Sequence, residues 1–283
     1  MRQLKNVNLS RYTTFRLGGV ATKLFFPQSI EELMELYCKE PRPNYFIGGG
    51  SNLLINDEAV FDNVICLREF NTKISAMGDG QYYVGASVSL QKFILAINAD
   101  NYGGIEYLYS VPGLIGGAIC MNAGRGKQHD CSISDYLLNV ECLVNGEIRT
   151  INKEKCQFKY RDSIFQHSDN GIILGAVFKF SPMDERDAIS KRKERIALCK
   201  RVQDTSLPNS GSVFCESNKY IMTILNRIGL GYPNGIAFSR KTKNWLINRG
   251  NGTFRQAKTL IDGVKRVHRL FRWTCRIEVK IWE

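Results

Sequence analysis

The feature that most constrains the fold is a run of three glycines at 48–50 that follows a predicted strand. Upstream, TKLFFP at 22–27 is typical of a strand, and Ser29 with Glu32 three residues later forms a capping box that predicts a helix. YFI at 45–47 then returns to strand, so this part of the chain reads as a βαβ unit. The glycines therefore leave the carboxyl end of a strand, where open α/β sheets tend to bind ligands.

A second glycine-rich segment, SVPGLIGGAICMNAG, occupies residues 110–124. Pro112 suits the first position of a helix, which predicts that a helix begins there. Gly116 and Gly117 would each destabilise that helix by about 1 kcal/mol relative to alanine, so helix packing explains them poorly. Two stretches of bare backbone suit a long, flat cofactor, because consecutive N–H groups form a concavity that binds phosphate. A plain turn at 48–50 is the alternative interpretation.

The charge is unevenly distributed along the chain. Residues 1–183 carry no net formal charge, whereas residues 184–283 carry the whole net charge of +12. A basic segment attached to a neutral one indicates an anionic ligand, either a phosphorylated small molecule or nucleic acid. A solvated, soluble surface is the alternative interpretation of the same charges.

The composition argues against several other classes of protein. No apolar run approaches the roughly 20 residues that span a bilayer, and the N-terminus has no signal-peptide pattern. The nine cysteines form no C-x-x-C pair and the three histidines are isolated, which is typical of neither a zinc site nor a disulfide framework. We therefore expect a cytoplasmic protein with reduced thiols, no bound metal and no membrane partner.

Hydrophobic spacing and turn residues predict the remaining elements. The expected strands are 139–144, 148–151, 171–180 and 245–248, and the expected helices are 89–99, 184–203, 220–228 and one opened by a capping box of Thr253 and Gln256. The closing stretch TCRIEVKIW alternates, with Ile277 and Val279 on one side and Glu278 on the other. We expect the chain to end on that strand.

Six stretches of the sequence occur together in one enzyme family. They are TTFRLGG (13–19), IGGGSNLL (47–54), SVPGLIGGAICMNAG (110–124), FKYRDSIF (158–165), NSGSVF (209–214) and IEV (277–279). By their order and spacing the chain resembles the bacterial UDP-N-acetylenolpyruvoylglucosamine reductases over essentially all 283 residues. The glycine motifs are shared with a wider group of FAD proteins, whereas YRDS, GSVF and the terminal Glu-Val are specific to the reductases.

The resemblance implies an α+β protein with an FAD-binding fold of the vanillyl-alcohol-oxidase/PCMH type. That fold would form two subdomains, at 1–72 and 73–183, with FAD held between them. A C-terminal α+β substrate domain with a connector helix and the closing strand would occupy 184–283. The compact segment 171–200 resembles the shorter type of the family, which lacks an inserted substrate loop.

The reaction that the resemblance implies uses NADPH as co-substrate. NADPH would reduce FAD and leave, and the enolpyruvyl ether of a UDP-sugar would then take a hydride on its methylene carbon. Protonation of the resulting enolate-like carbanion would give the lactyl ether, UDP-N-acetylmuramate, a precursor of peptidoglycan. We expect a monomer that works without nucleic acid.

The resemblance also assigns binding residues. The expected FAD-binding residues all lie in the two glycine motifs: Gly48, Gly49, Gly50, Ser51, Asn52, Leu53, Pro112, Gly113, Gly116, Gly117, Ala118, Asn122, Ala123 and Gly124. Tyr160 is expected to lie against substrate or flavin. Arg201 is expected at the substrate, as one of several basic residues that could meet the phosphates of the UDP-sugar or of NADPH.

Three residues match catalytic positions of the family. Ser212 matches the proton donor, and a positioned donor is typically worth about 10²–10⁴ in rate. Arg161 matches the arginine that stabilises charge on the substrate carboxylate, for which a guanidinium fork has the right shape. Glu278 matches a residue that polarises or protonates on the opposite side of that carboxylate. The alternatives are a turn serine, a salt bridge from Arg161 to Asp162, and a solvent-exposed glutamate.

Two other functions stay open at this stage. An FAD-dependent paralogue could act on another nucleotide sugar in surface-glycan synthesis, and the departures from the family pattern at Arg125–Gln128 and Cys215–Ser217 bear on that choice. The presence of all three catalytic matches argues against it. A basic nucleic-acid-binding protein is the non-enzyme alternative, although the sequence has no helix-turn-helix, RRM or OB signature.

Overall fold

The computed structural model describes residues 1–38, 45–125, 131–167 and 171–283, and the chain separates into two compact units. Unit 1 consists of Met1–Gln3, Phe25–Gly48 and Val64–Cys199, and unit 2 consists of Leu4–Leu24, Gly49–Asn63 and Lys200–Glu283. Two N-terminal segments therefore fold with the C-terminal part of the chain. The predicted division into two FAD-binding subdomains, 1–72 and 73–183, and a substrate domain, 184–283, stays a prediction.

The described elements include the helices and strands predicted from the sequence, together with further strands that it did not predict. The strands are β1 (Arg2–Asn8), β2 (Val20–Phe26), β3 (Tyr45–Ile47), β4 (Leu53–Ile55), β5 (Val60–Cys66), β6 (Ile74–Gly78), β7 (Gln81–Gly85), β8 (Tyr102–Gly103), β9 (Leu137–Val144), β10 (Glu147–Asn152), β11 (Ile172–Lys179), β12 (Ser181–Pro182), β13 (Asn209–Ser212), β14 (Phe214–Glu216), β15 (Ile236–Phe238), β16 (Trp245–Asn248), β17 (Arg276–Ile277) and β18 (Lys280–Trp282). The helices are α1 (Ile30–Cys38), α2 (Leu90–Ala99), α3 (Ile115–Cys120), α4 (Glu185–Val202), α5 (Lys219–Ile228) and α6 (Phe254–Leu270).

The main sheet of unit 1 has five antiparallel strands in the order β10-β9-β11-β7-β6. Its central strand, β11, reads IILGAVFK and is buried along most of its length, because both of its faces pack in core clusters, Phe178 in one and Leu174 in another. The strands predicted at 139–144, 148–151 and 171–180 are therefore confirmed as β9, β10 and β11.

Aromatic side chains fill the core beside this sheet. The ring centroids of Phe93 on α2 and Phe178 on β11 are 5.4 Å apart, and Phe180 lies 5.6 Å from Phe93. Burying a phenylalanine stabilises a fold by about 1.5–3 kcal/mol relative to leaving it exposed. Helix α2 begins where predicted, with the Ser89 side chain accepting the Lys92 N–H at 3.2 Å.

Helix α1 also begins as predicted, since the Ser29 hydroxyl accepts the Glu32 N–H at 3.3 Å. It buries Leu33 and Leu36 in a second cluster of unit 1. The predicted strand–helix–strand order is confirmed, but β3 pairs in parallel with β5 instead of with β2. The sheet order is β1-β2-β5-β3, so β5 lies between the two strands of the predicted βαβ unit.

Unit 2 is built on the three-stranded sheet β13-β16-β15 and on helix α6. The capping box predicted for α6 is present: the Thr253 side chain accepts the Gln256 N–H, and the Gln256 side chain accepts the Thr253 N–H. The inner face of α6 buries Ile261 and Val264 against Phe238 and other core residues of the unit. This core supports GSVF, which spans the end of β13 and the start of β14.

The closing stretch TCRIEVKIW is not the single strand that its alternation predicts. β17 pairs antiparallel with β14, and β18 pairs in parallel with β4, with Lys280 opposite Leu53. Glu278 lies at the break between them. The alternation survives in part, because Val279 is buried and Arg276 is exposed. The chain changes partner strand at Glu278, which a pattern of side chains cannot reveal.

Among the residues that the structure describes, no helix is long and apolar enough to cross a membrane. All nine cysteines are described and all are free thiols. The described ranges also contain no group of three or more His, Cys, Asp or Glu side chains arranged to hold a metal ion.

Candidate functional site

The first glycine motif passes from unit 1 to unit 2 between Gly48 and Gly49. The carbonyl oxygen of Gly48 accepts a hydrogen bond from Nε of Arg68 at 2.9 Å. A β-carbon added at Gly48 would lie 3.6 Å from Cδ1 of Leu114, an ordinary contact distance. Because Leu114 belongs to the second glycine motif, unit 1 by itself brings the two motifs side by side.

Gly50 is a glycine for reasons of packing. Its φ is +67°, and a β-carbon there would lie 1.9 Å from the carbonyl oxygen of Tyr12. Its own carbonyl accepts the Thr14 N–H at 3.0 Å. The N-terminal motif TTFRLGG therefore has a structural task within unit 2, since its first residues support the glycine run.

Asn52 ties the end of the glycine run to the closing segment. Its Nδ2 donates to the carbonyl oxygen of Glu278 at 3.1 Å, and its own carbonyl accepts the Lys280 N–H at 3.0 Å. Ser51 and Leu53 on either side are half-buried. Both ends of this contact belong to unit 2, so the motif and the closing strand form one local structure.

The second glycine motif turns before its helix begins. Pro112 lies outside α3, whose N-cap is Leu114, so the prediction that Pro112 opens the helix is wrong. The reason is Gly113, whose φ of +148° reverses the backbone between the proline and the helix. The Gly113 carbonyl accepts the Leu90 N–H at 3.2 Å, which fixes this turn against α2.

The two adjacent glycines of α3 have different surroundings. A β-carbon at Gly116 would lie 3.0 Å from Cβ of Ala86, so this glycine permits close packing on the strand beneath. A β-carbon at Gly117 would have no atom within 4 Å. Close packing on Ala86 therefore accounts for glycine at position 116. No contact accounts for glycine at position 117, whose backbone faces open space, as a cofactor-binding surface requires. Ala118, next along, is 6% exposed and packs in the core.

The loop after α3 contains a buried polar atom without a partner. Asn122 is 4% exposed, adopts a φ of +43°, and donates from Nδ2 to the Lys159 carbonyl at 3.0 Å. Its Oδ1 meets no hydrogen-bond donor in the part of the chain that the structure describes. Leaving such an atom unpaired costs about 1–3 kcal/mol, so a donor from a bound group fits here.

The neighbours of Asn122 close the loop. The Ala123 N–H donates to the Ala118 carbonyl at 2.8 Å, and a β-carbon at Gly124 would lie 2.2 Å from the Cys131 carbonyl. Of the departure from the family pattern at Arg125–Gln128, only Arg125 lies within the described residues, and its N–H donates to the Cys131 carbonyl at 3.0 Å.

Arg161 lies in a tight hairpin turn of unit 1. The N–H groups and carbonyls of Lys159 and Asp162 exchange two hydrogen bonds of 3.1 Å, and Arg161 between them has a φ of +55°. Its two terminal nitrogens donate to the carbonyls of Asn122 and Gly124 at 3.3 and 2.9 Å. The guanidinium is thereby fixed on the second glycine motif.

The side chains around that turn are also engaged. The Arg161 guanidinium carbon lies 5.2 Å from the ring centroid of Tyr160, a cation–π distance. The Asp162 carboxylate accepts the Ser163 N–H at 3.0 Å and lies 3.5 Å from Nε2 of His167. Ser163 is fully buried and donates to the Cys120 carbonyl at 2.7 Å, so the YRDS motif is anchored to the end of α3.

Ser212 ends β13 in unit 2, opposite Trp245 of β16. The register shifts between Asn209 and Ser212, and Gly211 has a φ of +74° with open space on its bare side. This bulge interrupts the pairing just before the half-buried Ser212, which resumes it opposite Trp245. Within the described residues no group forms a hydrogen bond with the Ser212 hydroxyl, which leaves its proton available to a ligand.

Asn244 holds the segment after Ser212 with three hydrogen bonds. Its carbonyl accepts the Val213 N–H at 2.9 Å, its Oδ1 accepts the Phe214 N–H at 3.0 Å, and its Nδ2 donates to the Phe214 carbonyl at 2.6 Å. Asn244 itself has a φ of +66°, which asparagine tolerates better than most residues. Sequence reasoning missed this residue; an asparagine before a predicted strand was the available signal.

Glu278 is brought to the same segment by its backbone. Its N–H donates to the Val213 carbonyl at 2.8 Å, one residue from Ser212, and its carbonyl accepts the Asn52 amide. Unit 2 thus places Glu278 between the GSVF loop and the glycine run. Cys215 donates from Sγ to the Arg276 carbonyl at 3.4 Å, and burial raises the pKa of this thiol, so it stays protonated beside the glutamate.

The basic residues predicted to meet phosphates differ in their surroundings. Arg201 is exposed near the end of α4, and nothing described in unit 2 fixes its side chain. Other basic residues of 184–283 brace the backbone instead: Lys241 donates to the Lys200 carbonyl at 2.7 Å, and Arg249 donates to the carbonyls of Tyr232 and Pro233, each at 3.2 Å. Lys241 and Arg249 therefore stabilise the backbone of unit 2 through these hydrogen bonds.

The expected catalytic residues are divided between the units. Arg161 belongs to unit 1, with Gly48 and the second glycine motif. Ser212 and Glu278 belong to unit 2, with Gly49 to Leu53 and Arg201. Within unit 2 the structure brings Ser212 and Glu278 together, and within unit 1 it joins Arg161 to the loop of Asn122.

Comparison with known proteins gives consistent results. The family described as "FAD binding domain" matches residues 23–152. The UDP-N-acetylenolpyruvoylglucosamine reductase of Lachnoclostridium phytofermentans is 32% identical over 274 residues, which cover 93% of this chain and 86% of that protein. The reductase of the same name from Bacillus subtilis is 29% identical over 273 residues, with 94% and 89% coverage.

A solved structure is similar over the whole chain. The crystal structure of UDP-N-acetylenolpyruvylglucosamine reductase (MurB) from Thermus caldophilus has a TM-score of 0.80 and 25% sequence identity. It covers 100% of this chain and 98% of that one. The similarity therefore includes the C-terminal hundred residues as well as the FAD-binding part.

Proposed function

This chain belongs to the UDP-N-acetylenolpyruvoylglucosamine reductase family, and from that premise we propose which of its residues carry out the reaction. It is an FAD-dependent oxidoreductase with the α+β FAD-binding fold, and it reduces the enolpyruvyl ether of UDP-N-acetylenolpyruvoylglucosamine with NADPH in peptidoglycan precursor synthesis. One contact within unit 2 supports the residue assignment best. The Glu278 N–H donates to the Val213 carbonyl at 2.8 Å, and Val213 directly follows Ser212.

The residues present fit FAD. Gly48 and Gly117 offer bare backbone with room beside it, and the buried Oδ1 of Asn122 requires a donor. We assign these three residues to FAD, together with the rest of the two glycine motifs. Gly50 and Gly116 are assigned to FAD as well, and they also have a structural role, because the absence of a side chain makes room for Tyr12 and Ala86. Bound FAD, once reduced by NADPH, supplies the hydride for the substrate.

Ser212 is the proposed proton donor. Hydride addition to the methylene carbon of the enolpyruvyl group leaves a carbanion on the neighbouring carbon, which is basic enough to take a proton from an alcohol. The Ser212 hydroxyl is half-buried and has no hydrogen-bond partner among the described residues, so its proton is not committed elsewhere. A positioned donor of this kind is typically worth about 10²–10⁴ in rate.

Arg161 is proposed to act on the carboxylate end of the substrate, and Tyr160, whose ring centroid lies 5.2 Å from the Arg161 guanidinium carbon, is proposed to lie against substrate or flavin. Negative charge grows on the carboxylate while the carbanion exists, and a fixed guanidinium stabilises that charge more in the transition state than in the ground state. The two backbone carbonyls that hold Arg161 fix the plane of its fork before substrate arrives. Preorganisation of this kind is typically worth roughly 3–4 kcal/mol of barrier.

Glu278 is proposed to act near Ser212. Its backbone is fixed on both sides, by Val213 and by Asn52, so the side chain starts from a rigid point. We assign it the polarisation of the substrate carboxylate or the return of a proton to the Ser212 alkoxide. Arg201 is assigned to the UDP diphosphate by its charge alone.

The remaining expectations are proposals as well. Nucleotide sugars and NADPH are cytoplasmic metabolites, which together with nine free thiols supports a cytoplasmic enzyme. We propose that it acts as a monomer and that nucleic acid takes no part in its reaction. We also propose that the chain divides at 72 and 183 into two FAD-binding subdomains and a substrate domain, as the resemblance implies.

The test is an anaerobic half-reaction experiment on purified holoprotein. NADPH should bleach the flavin absorbance, and addition of UDP-N-acetylenolpyruvoylglucosamine should restore it promptly. A flavin that is reduced by NADPH but not reoxidised by this substrate would overturn the substrate assignment. That result would favour the paralogue with another nucleotide sugar, whereas protein without flavin would contradict the enzyme assignment altogether.

A further inference from the structure

Exposed apolar side chains are concentrated on one part of unit 2. The exposed large hydrophobic residues between 217 and 273 are Tyr220, Ile224, Ile228, Leu230, Tyr232, Val267, Leu270, Phe271 and Trp273. Leu270 is 78% exposed and Tyr220 is 67% exposed. None of these residues belongs to the catalytic or cofactor assignments above. Clusters of this kind on a soluble protein mark an interaction surface more often than chance exposure.

These residues include two groups, one along a face of α5 and one at the C-terminal end of α6. On α5, Tyr220, Ile224 and Ile228 repeat every four residues and lie along one face, while Met222 on the other face is buried in the core. At the end of α6, Phe271 and Trp273 stack with ring centroids 4.8 Å apart beside Leu270. We call these two groups together the α5–α6 surface.

A buried histidine joins the two groups. Nε2 of His268 accepts the Asn218 N–H at 2.8 Å, and its Nδ1 lies 2.8 Å from the Val264 carbonyl. The ring therefore holds its proton on Nδ1, and it fixes the start of α5 against the last turn of α6. Because His268 is fully buried, the α5–α6 surface rests on a rigid base.

The charges around this surface are mainly positive, although the exposed Glu216 lies three residues before the start of α5. Lys219, Arg227, Arg269 and Arg272 are exposed among the apolar residues, and none has an ion-pair partner in the described part of the chain. Between residues 217 and 275 the only acidic residue is Asp262. The surface is thus both apolar and positive, so its partner must offer hydrocarbon and negative charge together.

We propose that the α5–α6 surface docks the enzyme on an anionic lipid bilayer. Leucine, isoleucine and aromatic side chains insert between lipid headgroups, while arginine and lysine meet their phosphates, as in interfacial helices. A second copy of this chain is a poor occupant, because a two-fold contact would place these cations against each other. Nucleic acid offers phosphate but no hydrocarbon to cover Ile224, Ile228 and Leu270.

This docking is peripheral. The expectation of no membrane partner came from the absence of a spanning segment, and a surface that lies on a bilayer needs no such segment. The inference does not depend on the enzyme assignment, since none of the catalytic or FAD-binding residues lies on the α5–α6 surface.

Vesicle binding by the holoenzyme tests the proposal. The probes are vesicles of phosphatidylcholine and of an equal mixture of phosphatidylcholine and phosphatidylglycerol, at low and physiological salt. We expect sedimentation with the mixed vesicles only, weakening as salt rises. Leu270→Glu together with Phe271→Glu should weaken binding by about tenfold or more, because an apolar anchor is lost and negative charge is added.

A matched variant and a local probe complete the design. Leu95→Glu changes an exposed leucine of α2 in unit 1 and should leave vesicle binding unchanged. Brominated lipid should quench Trp273 fluorescence, and Trp273→Phe should remove that quenching, since the other two tryptophans, Trp245 and Trp282, are half-buried. Flavin content and circular dichroism establish that each variant is folded.

Three results would overturn the proposal. The first is no binding of folded holoenzyme to mixed vesicles at low salt. The second is an equal loss of binding in Leu95→Glu and in the double variant. The third is absence of vesicle binding together with another association that the double variant abolishes. That association would be a dimer in sedimentation velocity or binding to an oligothymidine. Each would assign the surface to a different partner or to none.

Discussion

At the scale of single residues, the position of Ser212 depends on Gly211 before it in the chain and on Asn244, which binds the two residues after it. Gly211 takes a φ of +74° that few other residues adopt, and it forms the irregularity in β13 just before Ser212. Asn244 then fixes the next two peptides with three hydrogen bonds. The hydroxyl of Ser212 is thus positioned by backbone contacts rather than by a partner of its own.

Replacing Ser212 by alanine should block the second half of the reaction. The loss of the proton donor predicts a fall of about 10²–10⁴ in the rate of flavin reoxidation by substrate, with reduction by NADPH unchanged. Anaerobic stopped-flow absorbance of the flavin measures both steps separately. Ser190→Ala, at an exposed position of α4, is the matched control and should behave as the parent enzyme. Equal slowing of both half-reactions in Ser212→Ala would refute this role.

Replacing Asn244 by glycine should slow turnover through the position of Ser212. Glycine keeps the φ of +66° accessible, so the variant removes only the two side-chain hydrogen bonds to Phe214. Loss of these two part-buried hydrogen bonds should lower the free energy of unfolding by about 1–3 kcal/mol. We expect kcat to fall with little change in KM, and Asn244→Asp, which keeps the acceptor, to recover part of it. A fall in stability with kcat intact would reduce Asn244 to a structural residue.

At the scale of elements, α3 shows how a short helix combines packing with binding. It is six residues long and contains two glycines, which by propensity alone should not form a helix. Tertiary contacts supply the missing stability: Ile115 and Ile119 are fully buried, and the N–H groups of Ile115 and Gly116 donate to Val88 and Ala86 at 2.9 Å. The helix can therefore leave one face bare at Gly117.

Two glycine-to-alanine variants should separate packing from binding. Gly50→Ala should lower the free energy of unfolding by at least about 1–3 kcal/mol, because the backbone is left-handed and Tyr12 fills the space. Gly117→Ala should leave stability unchanged or raise it by up to about 1 kcal/mol, yet weaken FAD binding. Thermal denaturation of the apoprotein and titration with FAD measure the two properties. Unchanged FAD affinity in Gly117→Ala would show that the open space serves another purpose.

The main sheet of unit 1 should make stability sensitive to alkaline pH. Burial, and then the hydrogen bond to Glu141, raises the pKa of Tyr83 to about 12 from its ordinary value of 10. Because the folded state favours the neutral phenol, this contribution to stability is complete below about pH 10 and is lost as the pH rises towards 12. Burial also raises the pKa of Tyr82, whose effect has the same sign.

Urea unfolding at pH 8 and pH 11 tests this prediction. The free energy of unfolding should fall between the two values, and Tyr83→Phe should show a smaller fall. The variant starts from lower stability at pH 8, because Glu141 and Asn71 lose their hydrogen-bond partner. An identical pH dependence in both proteins would mean that Tyr83 does not titrate in this range.

At the scale of the whole molecule, the charge asymmetry should show itself in the kinetics. Residues 184–283 carry the net +12, and both NADPH and the UDP-sugar are anions. Raising the ionic strength from about 0.01 to 0.15 M shortens the Debye length from about 30 to 8 Å. The second-order rate constant for flavin reduction by NADPH should therefore fall, while the limiting rate stays constant.

NADH is the matched control for that experiment. It lacks the 2′-phosphate and therefore carries less negative charge, so its rate constant should fall less steeply with salt. Equal slopes for NADH and NADPH would indicate that the positive charge does not guide the nucleotide.

The sequence by itself predicted all six described helices, although it misplaced the start of α3, and six of the eighteen described strands. Local signals sufficed where local physics decides: the capping residues Ser29, Ser89 and Thr253 each begin a helix, as predicted. The glycine motifs, Arg161, Ser212 and Glu278 came from resemblance to a family to which the chain is now shown to belong. Their roles stay predictions until the variants above are measured.

Only the tertiary structure decided which neighbours these elements have. Alternation predicted one closing strand, yet the chain changes partner at Glu278, because β14 and β4 each offer a free edge to a different part of it. Pro112 satisfied a local rule for a helix start, but the turn at Gly113 moved that start to Ile115. The role of Asn244 and the exposure of Leu270 depend on contacts between residues far apart in the chain, and no local pattern encodes such contacts.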